Sequence, residues 1–228
     1  MNLKHCIGMK NKYLVRPRRY ERQEPSRDSR KLYIYCEGNV REYDYFKFFC
    51  GLSSNVNIIP IKSKNGKTDP VKLMEAAKED FCIKCDGAQK YELDVSQHDN
   101  IWFVIDTDQW GSKISELRDF CKNQNDGLSD ETWFVSQSNP SFEIWLYYHF
   151  FDSKPPKNAV DKFASIKEFV DAQIPGGFDS RKHPAKFETA IQNASAVYEE
   201  ENAAPALYST EVFRLGKVIL PFVKEVLG

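Results

Sequence analysis

Four short runs of apolar residues predict four β-strands. The third run, Ile101 to Ile105, is apolar throughout, which is typical of a strand covered on both faces of a sheet. The second run contains Pro60, which suits an edge strand because proline has no N–H to donate to a neighbouring strand. The predicted strands are residues 31–36, 56–61, 101–105 and 131–136.

Helical segments separate these runs. Asp69 followed by Pro70 favours a helix start, because an Asp side chain accepts hydrogen bonds from the first turn and proline suits the first helical position. Asn139 before Pro140 predicts the cap of a further helix. The predicted helices are residues 40–52, 69–85, 114–122 and the segment after Asn139, with a polar loop at 87–100. Strands that alternate with helices indicate right-handed βαβ units, so we predict an α/β fold with a parallel sheet flanked by helices.

The chain changes character after residue 152. Residues 154–158, KPPKN, interrupt the alternation, and helical patterns follow at 160–172, 185–200 and 210–226. We therefore divide the chain into three parts. They are a basic flexible arm at 1–30, an α/β core at 31–152 and a mainly helical extension at 153–228 that packs on the core.

The formal net charge of −1 hides an uneven distribution. Residues 1–31 contain ten basic and three acidic residues, whereas the rest contains 22 basic and 30 acidic residues. A basic arm on an acidic body favours an anionic partner such as nucleic acid, although a solvated leader has the same composition. We see neither a signal peptide nor an apolar run of about 20 residues, which a membrane span requires. We therefore expect a cytoplasmic protein with no membrane contact.

Acidic residues follow the first and third predicted strands. Glu37 and Gly38 follow the first strand, and Asp106 and Asp108 follow the third. Ligands of open parallel sheets bind at the carboxyl ends of the strands, and Mg²⁺ prefers oxygen ligands. An acid pair at such a turn is by itself also a common helix cap. If the first and third strands are adjacent, however, the three carboxylates converge and predict a metal site, with Gly38 permitting a tight turn.

Other residues are further candidates for the same site. Glu143 would lie one turn into the fourth helix, facing this edge, or would simply favour a helix N-terminus. Arg181 and Lys182, in a glycine-rich loop, are candidates for binding substrate phosphates, with a solvated loop as the alternative. His149 lies on an apolar helical face, which favours a packed core histidine over a catalytic one.

Three motifs resemble those of the RloB-like family, whose members have a Toprim-type domain. They are Y-C-E-G-x-x-x-E-Y-x-Y-F at 35–46, F-V-I-D-T-D-Q-W at 103–110 and S-N-P-S-F-E-I-W-L-x-x-H-F at 138–150. The late S-T-E-V-F-R-L at 209–215 is also similar to that family, so the resemblance covers most of residues 31–220. The first two motifs occur in Toprim domains generally, whereas the third is specific to the RloB-like family.

The resemblance implies roles for particular residues. Glu37 matches the Toprim glutamate, as general base or metal ligand, and Asp106 and Asp108 match its metal-binding pair. Glu143 matches a further catalytic acid, and Glu42 matches the second acid of the first motif. Gly38 would adjoin the bound substrate. Arg41 departs from the small hydroxyl residue of the family, which we interpret as a substitution tolerated on a helix surface.

The resemblance also implies a function. We expect a nuclease that depends on Mg²⁺ or Mn²⁺, cleaves DNA or RNA, and acts in phage defence of the abortive-infection type with an AAA- or ABC-type ATPase partner. The alternative is a non-catalytic module that binds nucleic acid, a nucleotide or a protein partner. A CheY-like phosphoacceptor is disfavoured, because it needs a lysine after a late strand where Ser136, Gln137 and Ser138 stand.

Overall fold

A four-stranded parallel sheet forms the centre of the molecule. The computed structural model describes residues 20–63, 69–82, 88–108 and 110–228. The strands are β1 (Arg30–Cys36), β2 (Val56–Lys62), β3 (Asn100–Asp106) and β4 (Trp133–Ser138). Their order is β2-β1-β3-β4, so the predicted adjacency of the first and third strands is confirmed. Pro60 lies in the edge strand β2, as predicted.

Helices and one short hairpin make up the remaining regular structure in the described residues. The helices are α1 (Arg41–Lys47), α2 (Pro70–Asp80), α3 (Gly111–Asn125), α4 (Glu143–Tyr147), α5 (Lys157–Val160), α6 (Ile166–Gln173), α7 (Phe187–Ala196) and α8 (Val212–Leu227). The hairpin pairs β5 (Glu200–Glu201) with β6 (Ala204–Pro205), and 3₁₀ turns occur at Val95–Gln97 and His183–Lys186. The predicted α/β class with a helical C-terminal region is confirmed. The predicted end of the second helix near residue 85 lies outside the described residues.

Two hydrophobic clusters cover the two faces of the sheet. Along β1, Leu32 and Ile34 point into one cluster and Tyr33 and Tyr35 into the other. The first cluster lies under α1, α4 and the C-terminal helices, and the second lies under α2 and α3. Since both faces are covered, the central strand β3 is buried along its whole length except at Asp106.

The larger cluster continues from the sheet into the C-terminal helices. Phe187 of α7 packs against Phe49 and Trp145, with ring centroids 4.4 Å and 6.1 Å apart. Helices α7 and α8 approach so closely that a Cβ at Gly216 would lie 2.8 Å from Ile191. The helical region and the sheet therefore share one core. Among the described residues no helix combines the length and the apolar character that a bilayer span requires.

Part of the predicted arm packs against the sheet domain. The Arg22 guanidinium donates hydrogen bonds to the carbonyls of Phe48 and Cys50, at 2.7 Å and 2.5 Å. The Gln23 N–H donates to the Gly51 carbonyl, and β1 begins at Arg30. Residues 20–30 thus line the loop that follows α1. Residues 1–19 lie outside the described residues.

The prediction that Asn139 caps the fourth helix was wrong. Helix α4 begins at Glu143, with Phe142 as its N-cap residue and no side-chain cap. The Asn139 side chain instead donates to the Pro205 carbonyl at 2.9 Å, and its backbone pairs with Tyr208 and Ser209. The Asn139 side chain is therefore engaged by Pro205, 66 positions further along the chain, and does not cap the helix that follows it.

Residues 209–211 cover the carboxyl-terminal half of the edge strand β4. Ser138 and Thr210 form an antiparallel bridge, and the Glu211 N–H donates to the Gln137 carbonyl at 2.8 Å. The Gln137 N–H donates in turn to Glu211 Oε2 at 3.0 Å. The late S-T-E-V-F-R-L motif therefore protects a sheet edge, where unpaired backbone groups would otherwise be exposed.

Candidate active site

Glu37 connects the first and third strands at the carboxyl edge of the sheet. Its N–H donates to the Val104 carbonyl, which extends the pairing of β1 with β3 by one residue. Its carboxylate accepts two hydrogen bonds, from the Asp106 N–H at 2.7 Å and from the Trp110 indole N–H at 2.9 Å. The glutamate that follows β1 is therefore held beside the acidic end of β3.

Burial controls the protonation of Glu37. Removal from water raises the pKa of this carboxyl to about 7, with smaller contributions in the same direction from Asp108 and Glu42. The hydrogen bonds from Asp106 and Trp110 act in the opposite direction without cancelling this effect. Glu37 can consequently accept or release a proton near neutral pH.

Asp106 ends β3 and faces three other acids. Its Oδ1 accepts a hydrogen bond from the Phe142 N–H at 2.8 Å, directly before α4. Burial raises the pKa of Asp106 well above its usual range, and the charges of Glu42, Glu37 and Glu143 raise it further. These four acids, named here the carboxylate cluster, therefore act on one another electrostatically.

Asp108 lies at the exposed side of this cluster. Its side chain is exposed and its φ is +27°, a conformation that non-glycine residues rarely adopt. The preceding Thr107 is anchored to β4: its hydroxyl donates to the Ser138 carbonyl at 2.8 Å and accepts from Gln137 Nε2 at 2.9 Å. Hydrogen bonds to β4 thus anchor the residue before Asp108, and the charge of Asp108 raises the pKa of Glu37.

Gly38 is explained by its contact with Glu42. A Cβ at position 38 would lie 1.9 Å from Glu42 Oε2, so any larger residue would displace this carboxylate. Glu42 is buried in α1, and burial is the largest cause of its raised pKa. The chain bends at Gly38, where we predicted a tight turn. The glycine's φ is not positive, so the space that Glu42 occupies, and not the backbone conformation, is what requires glycine here.

Glu143 is the acid of the cluster that carries ion pairs. It is buried at the first position of α4, rather than one turn into a helix as predicted. Its Oε2 accepts a hydrogen bond from the Ser141 hydroxyl at 2.6 Å. Its Oε1 lies 3.7 Å from Arg41 Nη1 and 3.4 Å from Lys167 Nζ.

The sequence did not reveal the partners of these acids. We interpreted Arg41 as a tolerated surface substitution, but its guanidinium bridges Glu143 and Asp171, at 2.8 Å from Asp171 Oδ2. Lys167 and Asp171 are four residues apart on α6, a spacing that places them on one helix face. That spacing could have indicated a charged helix face, but it does not show which other helix this face contacts.

Arg181 and Lys182 are exposed and pair with Asp179. Arg181 Nε lies 2.9 Å from Asp179 Oδ1, and Lys182 Nζ lies 3.4 Å from Asp179 Oδ2. No contact described for them joins either residue to the carboxylate cluster. Their predicted role in phosphate binding stays a prediction.

The donor chemistry of the cluster fits a hard divalent cation. All its candidate ligands are carboxylate oxygens, and of the four acids Glu143 forms ion pairs with Arg41 and Lys167. In the described part of the chain, however, no three His, Cys, Asp or Glu side chains are grouped as they would be around a metal ion. Glu37 and Asp106 instead accept protein N–H groups. Binding of Mg²⁺ or Mn²⁺ by Glu37, Asp106 and Asp108 therefore stays a prediction.

The fold and the site define a class: an α/β protein with a parallel four-stranded sheet and an acidic carboxyl edge. The model of the family described as RloB-like protein matches residues 32–219, which include every acid discussed above. The chain therefore belongs to the RloB-like protein family, as its motifs indicated. No significant match was found among the curated proteins or among the solved structures.

Proposed function

We propose that this protein is a nuclease that uses Mg²⁺ or Mn²⁺ to cleave phosphodiester bonds in DNA or RNA. The observation that carries the proposal is the carboxylate cluster at the ends of the adjacent strands β1 and β3. Buried acids with raised pKa values are costly for folding, and they concentrate at functional sites. The resemblance of the E-G and D-T-D motifs to those of Toprim nucleases supports the same reading.

The acids of the site would have different roles in cleavage. Asp106 and Asp108 would hold the metal ion, which supplies an activated water and neutralises phosphate charge when bound. Glu37, with a pKa of about 7, is suited to take a proton from water or to add an oxygen ligand. Glu143, buried and ion-paired, would support the site from the side of α4.

A specific observation favours a second candidate, a binding module without catalysis. The carboxylates of Glu37 and Asp106 are already engaged by protein N–H groups, so hydrogen bonding satisfies them without a metal ion. Such a module would bind nucleic acid or a nucleotide, or dock on an ATPase. The two candidates differ in one measurable property, which is cleavage.

A cleavage assay separates these candidates. The purified protein is incubated with labelled DNA and RNA in Mg²⁺, Mn²⁺ or EDTA. We expect cleavage in either metal, none in EDTA, and none by the Asp108→Asn variant. Because Asp108 is exposed, its substitution should leave the melting temperature nearly unchanged. Asp130→Asn, at a carboxylate with a 65% exposed side chain, is the control and should cleave normally.

The partner question needs a second arm of the same assay. The resemblance implies an AAA- or ABC-type ATPase, so an inactive protein is tested again with any such ATPase that is encoded beside it. Inactivity under both conditions, or activity that survives Glu37→Gln, would overturn the nuclease proposal. Nucleic-acid binding without cleavage would then establish the binding module.

A further inference from the structure

Two cations lie directly against the carboxylate cluster in the described structure. Glu143 Oε1 is the shared contact, 3.7 Å from Arg41 Nη1 and 3.4 Å from Lys167 Nζ. Both cations also influence Glu42, whose pKa they lower against the dominant effect of burial. Their side chains are 34% and 60% exposed, whereas that of Glu143 is 3% exposed. The two cations therefore lie between the buried Glu143 carboxylate and solvent.

Both cations keep hydrogen-bond donors for a further ligand. A guanidinium has five N–H donors, and Arg41 directs two of them to Asp171, at 3.2 Å and 2.8 Å. An ammonium group has three donors, and the ion-pair partner of Lys167 among the described residues is Glu143. These two hydrogen bonds to Asp171, which lies on α6, fix the plane of the Arg41 guanidinium. The remaining N–H donors of the guanidinium are then oriented to bind an anion.

Charge explains why such cations are needed at this position. Glu37, Glu42 and Asp106 repel any phosphate that approaches the strand ends whenever they are ionised. A cation at the entrance offsets that repulsion, and an arginine beside a lysine offers both a planar fork and a point charge to phosphate oxygens. Arg181 and Lys182 are less suited, because their ion-pair partner is Asp179 and not an acid of the carboxylate cluster.

We propose that Arg41 and Lys167 are the phosphate-binding residues of this site, and that they contact the backbone of the nucleic-acid substrate next to the carboxylate cluster. The proposal rests on the proposed function, since it assigns the substrate contacts of the same site. The proposal assigns contact with the nucleic-acid backbone to residues of α1 and α6, so the C-terminal helical region contributes directly to the active site.

The salt dependence of binding tests this assignment. Affinity for a labelled DNA duplex is measured by fluorescence anisotropy across a salt series, in EDTA and in Ca²⁺. Each phosphate contact contributes about 0.9 to the log–log slope for duplex DNA. Lys167→Gln should therefore reduce the slope by about 0.9 and weaken binding, Arg41→Gln should act similarly, and Lys167→Arg should restore the wild-type slope.

Lys224→Gln is the matched control. The Lys224 side chain is 59% exposed and has one ion pair, with Glu188 at 2.6 Å, on helices that carry none of the cluster acids. Its substitution should leave the slope unchanged. Melting temperatures of all variants show whether a loss of binding follows from unfolding, and a purely structural role for Lys167 would not change the slope.

The outcomes separate this inference from the proposed function. If the wild type binds nucleic acid and both Lys167→Gln and Arg41→Gln keep its slope, the assignment of these two residues is overturned while the nuclease proposal survives. The same measurement is made with an RNA duplex of the same sequence. If the wild type binds neither duplex in any of these buffers, both proposals fail. A slope that falls in Lys224→Gln as much as in Lys167→Gln would also overturn the assignment.

Discussion

The Glu42 carboxylate occupies the volume that a side chain at position 38 would need. A Cβ there would lie 1.9 Å from Oε2 and 2.5 Å from Cδ of Glu42. Gly38→Ala should therefore destabilise the protein by about 1–3 kcal/mol, the range for overpacking. In a Glu42→Ala background the same change should cost much less, because the clash is gone. Urea denaturation of the four proteins measures this coupling.

Gly111→Ala is the control for this cycle. Position 111 begins α3, and nothing lies within 4 Å of a Cβ added there. The substitution should be neutral or stabilising by up to about 1 kcal/mol, since alanine has less freedom in the unfolded chain. An equal cost of Gly38→Ala in both backgrounds would show that Glu42 is not the reason for the glycine.

His149 is a packed core histidine, as its position on an apolar helical face predicted. It is buried, and its Nε2 lies 3.0 Å from the Tyr45 hydroxyl. Its Nδ1 lies 3.0 Å from the Trp145 carbonyl, which can only accept, so the neutral ring donates from Nδ1 and accepts at Nε2. Burial lowers the pKa of His149 to about 3.

This lowered pKa makes stability depend on pH. In the unfolded chain a histidine has a pKa near 6.5, so below that pH the unfolded state binds a proton that the folded state excludes. The contribution of His149 is thus fully present above pH 6.5 and is lost as the pH falls towards 3. At pH 5 the loss is about 2 kcal/mol, relative to neutral pH.

Urea denaturation at pH 7 and pH 5 checks this dependence. The neutral variant His149→Gln should lose about 2 kcal/mol less than the wild type between the two pH values. His98→Gln, at a side chain that is 65% exposed, should behave like the wild type. Identical pH dependence in His149→Gln and the wild type would contradict the assignment.

At the scale of elements, Glu211 secures the C-terminal region to β4. Its buried carboxylate lies 2.7 Å from Arg118 Nη2 and 3.0 Å from Arg214 Nη1, and it accepts the Gln137 N–H at 3.0 Å. Glu211→Ala should cost about 2–3 kcal/mol, because a buried N–H loses a charged acceptor. The two arginines add little to that cost, since both are partly exposed and can be hydrated.

The exposed pair of Glu188 and Lys224 provides the comparison for Glu211. Glu188 Oε1 accepts a hydrogen bond from Lys224 Nζ at 2.6 Å, but the Glu188 side chain is 42% exposed. Glu188→Ala should cost less than about 1 kcal/mol, as is usual for surface ion pairs. Equal losses in the two variants, measured by urea denaturation, would show that the contact between residues 209–211 and β4 contributes little to stability.

At the scale of the whole molecule, the basic charge is concentrated at the N-terminus. Residues 1–19 contain six Lys or Arg and no acidic residue. Deleting them should weaken nucleic-acid binding and lower the log–log salt slope by as much as about 5, if all six contact phosphates of a duplex. The described contacts of Arg22 and Gln23 with the loop after α1 are retained in this variant, and its melting temperature shows whether binding is lost without unfolding.

A longer deletion distinguishes binding from folding. Removal of residues 1–28 also removes the Arg22 hydrogen bonds to Phe48 and Cys50, so the melting temperature should fall as well. An unchanged salt slope after deletion of residues 1–19 would show that this segment is a leader without contact to nucleic acid.

Much of the fold was predictable because its signals are local. The apolar runs gave strands within about two residues of those observed, and Asp69 caps α2 as expected, accepting from the N–H groups of Val71 and Lys72. Since parallel strands end at one edge, the positions of Glu37 and Asp106 also followed from the sequence. The helix after β4 was misplaced, because Asn139 has a tertiary partner that outcompetes the local cap.

The sequence by itself thus determined the class of fold, the order of its four parallel strands and the helices between them, and the acids that end its strands, since each depends on neighbouring residues and on the geometry of parallel strands. Tertiary structure decided what surrounds those acids. The hydrogen bonds of Arg41 with Asp171 join residues 130 positions apart, and those of Trp110 with Glu37 join residues 73 positions apart. No periodicity encodes such pairs, because they exist only once helices from distant parts of the chain pack on one sheet.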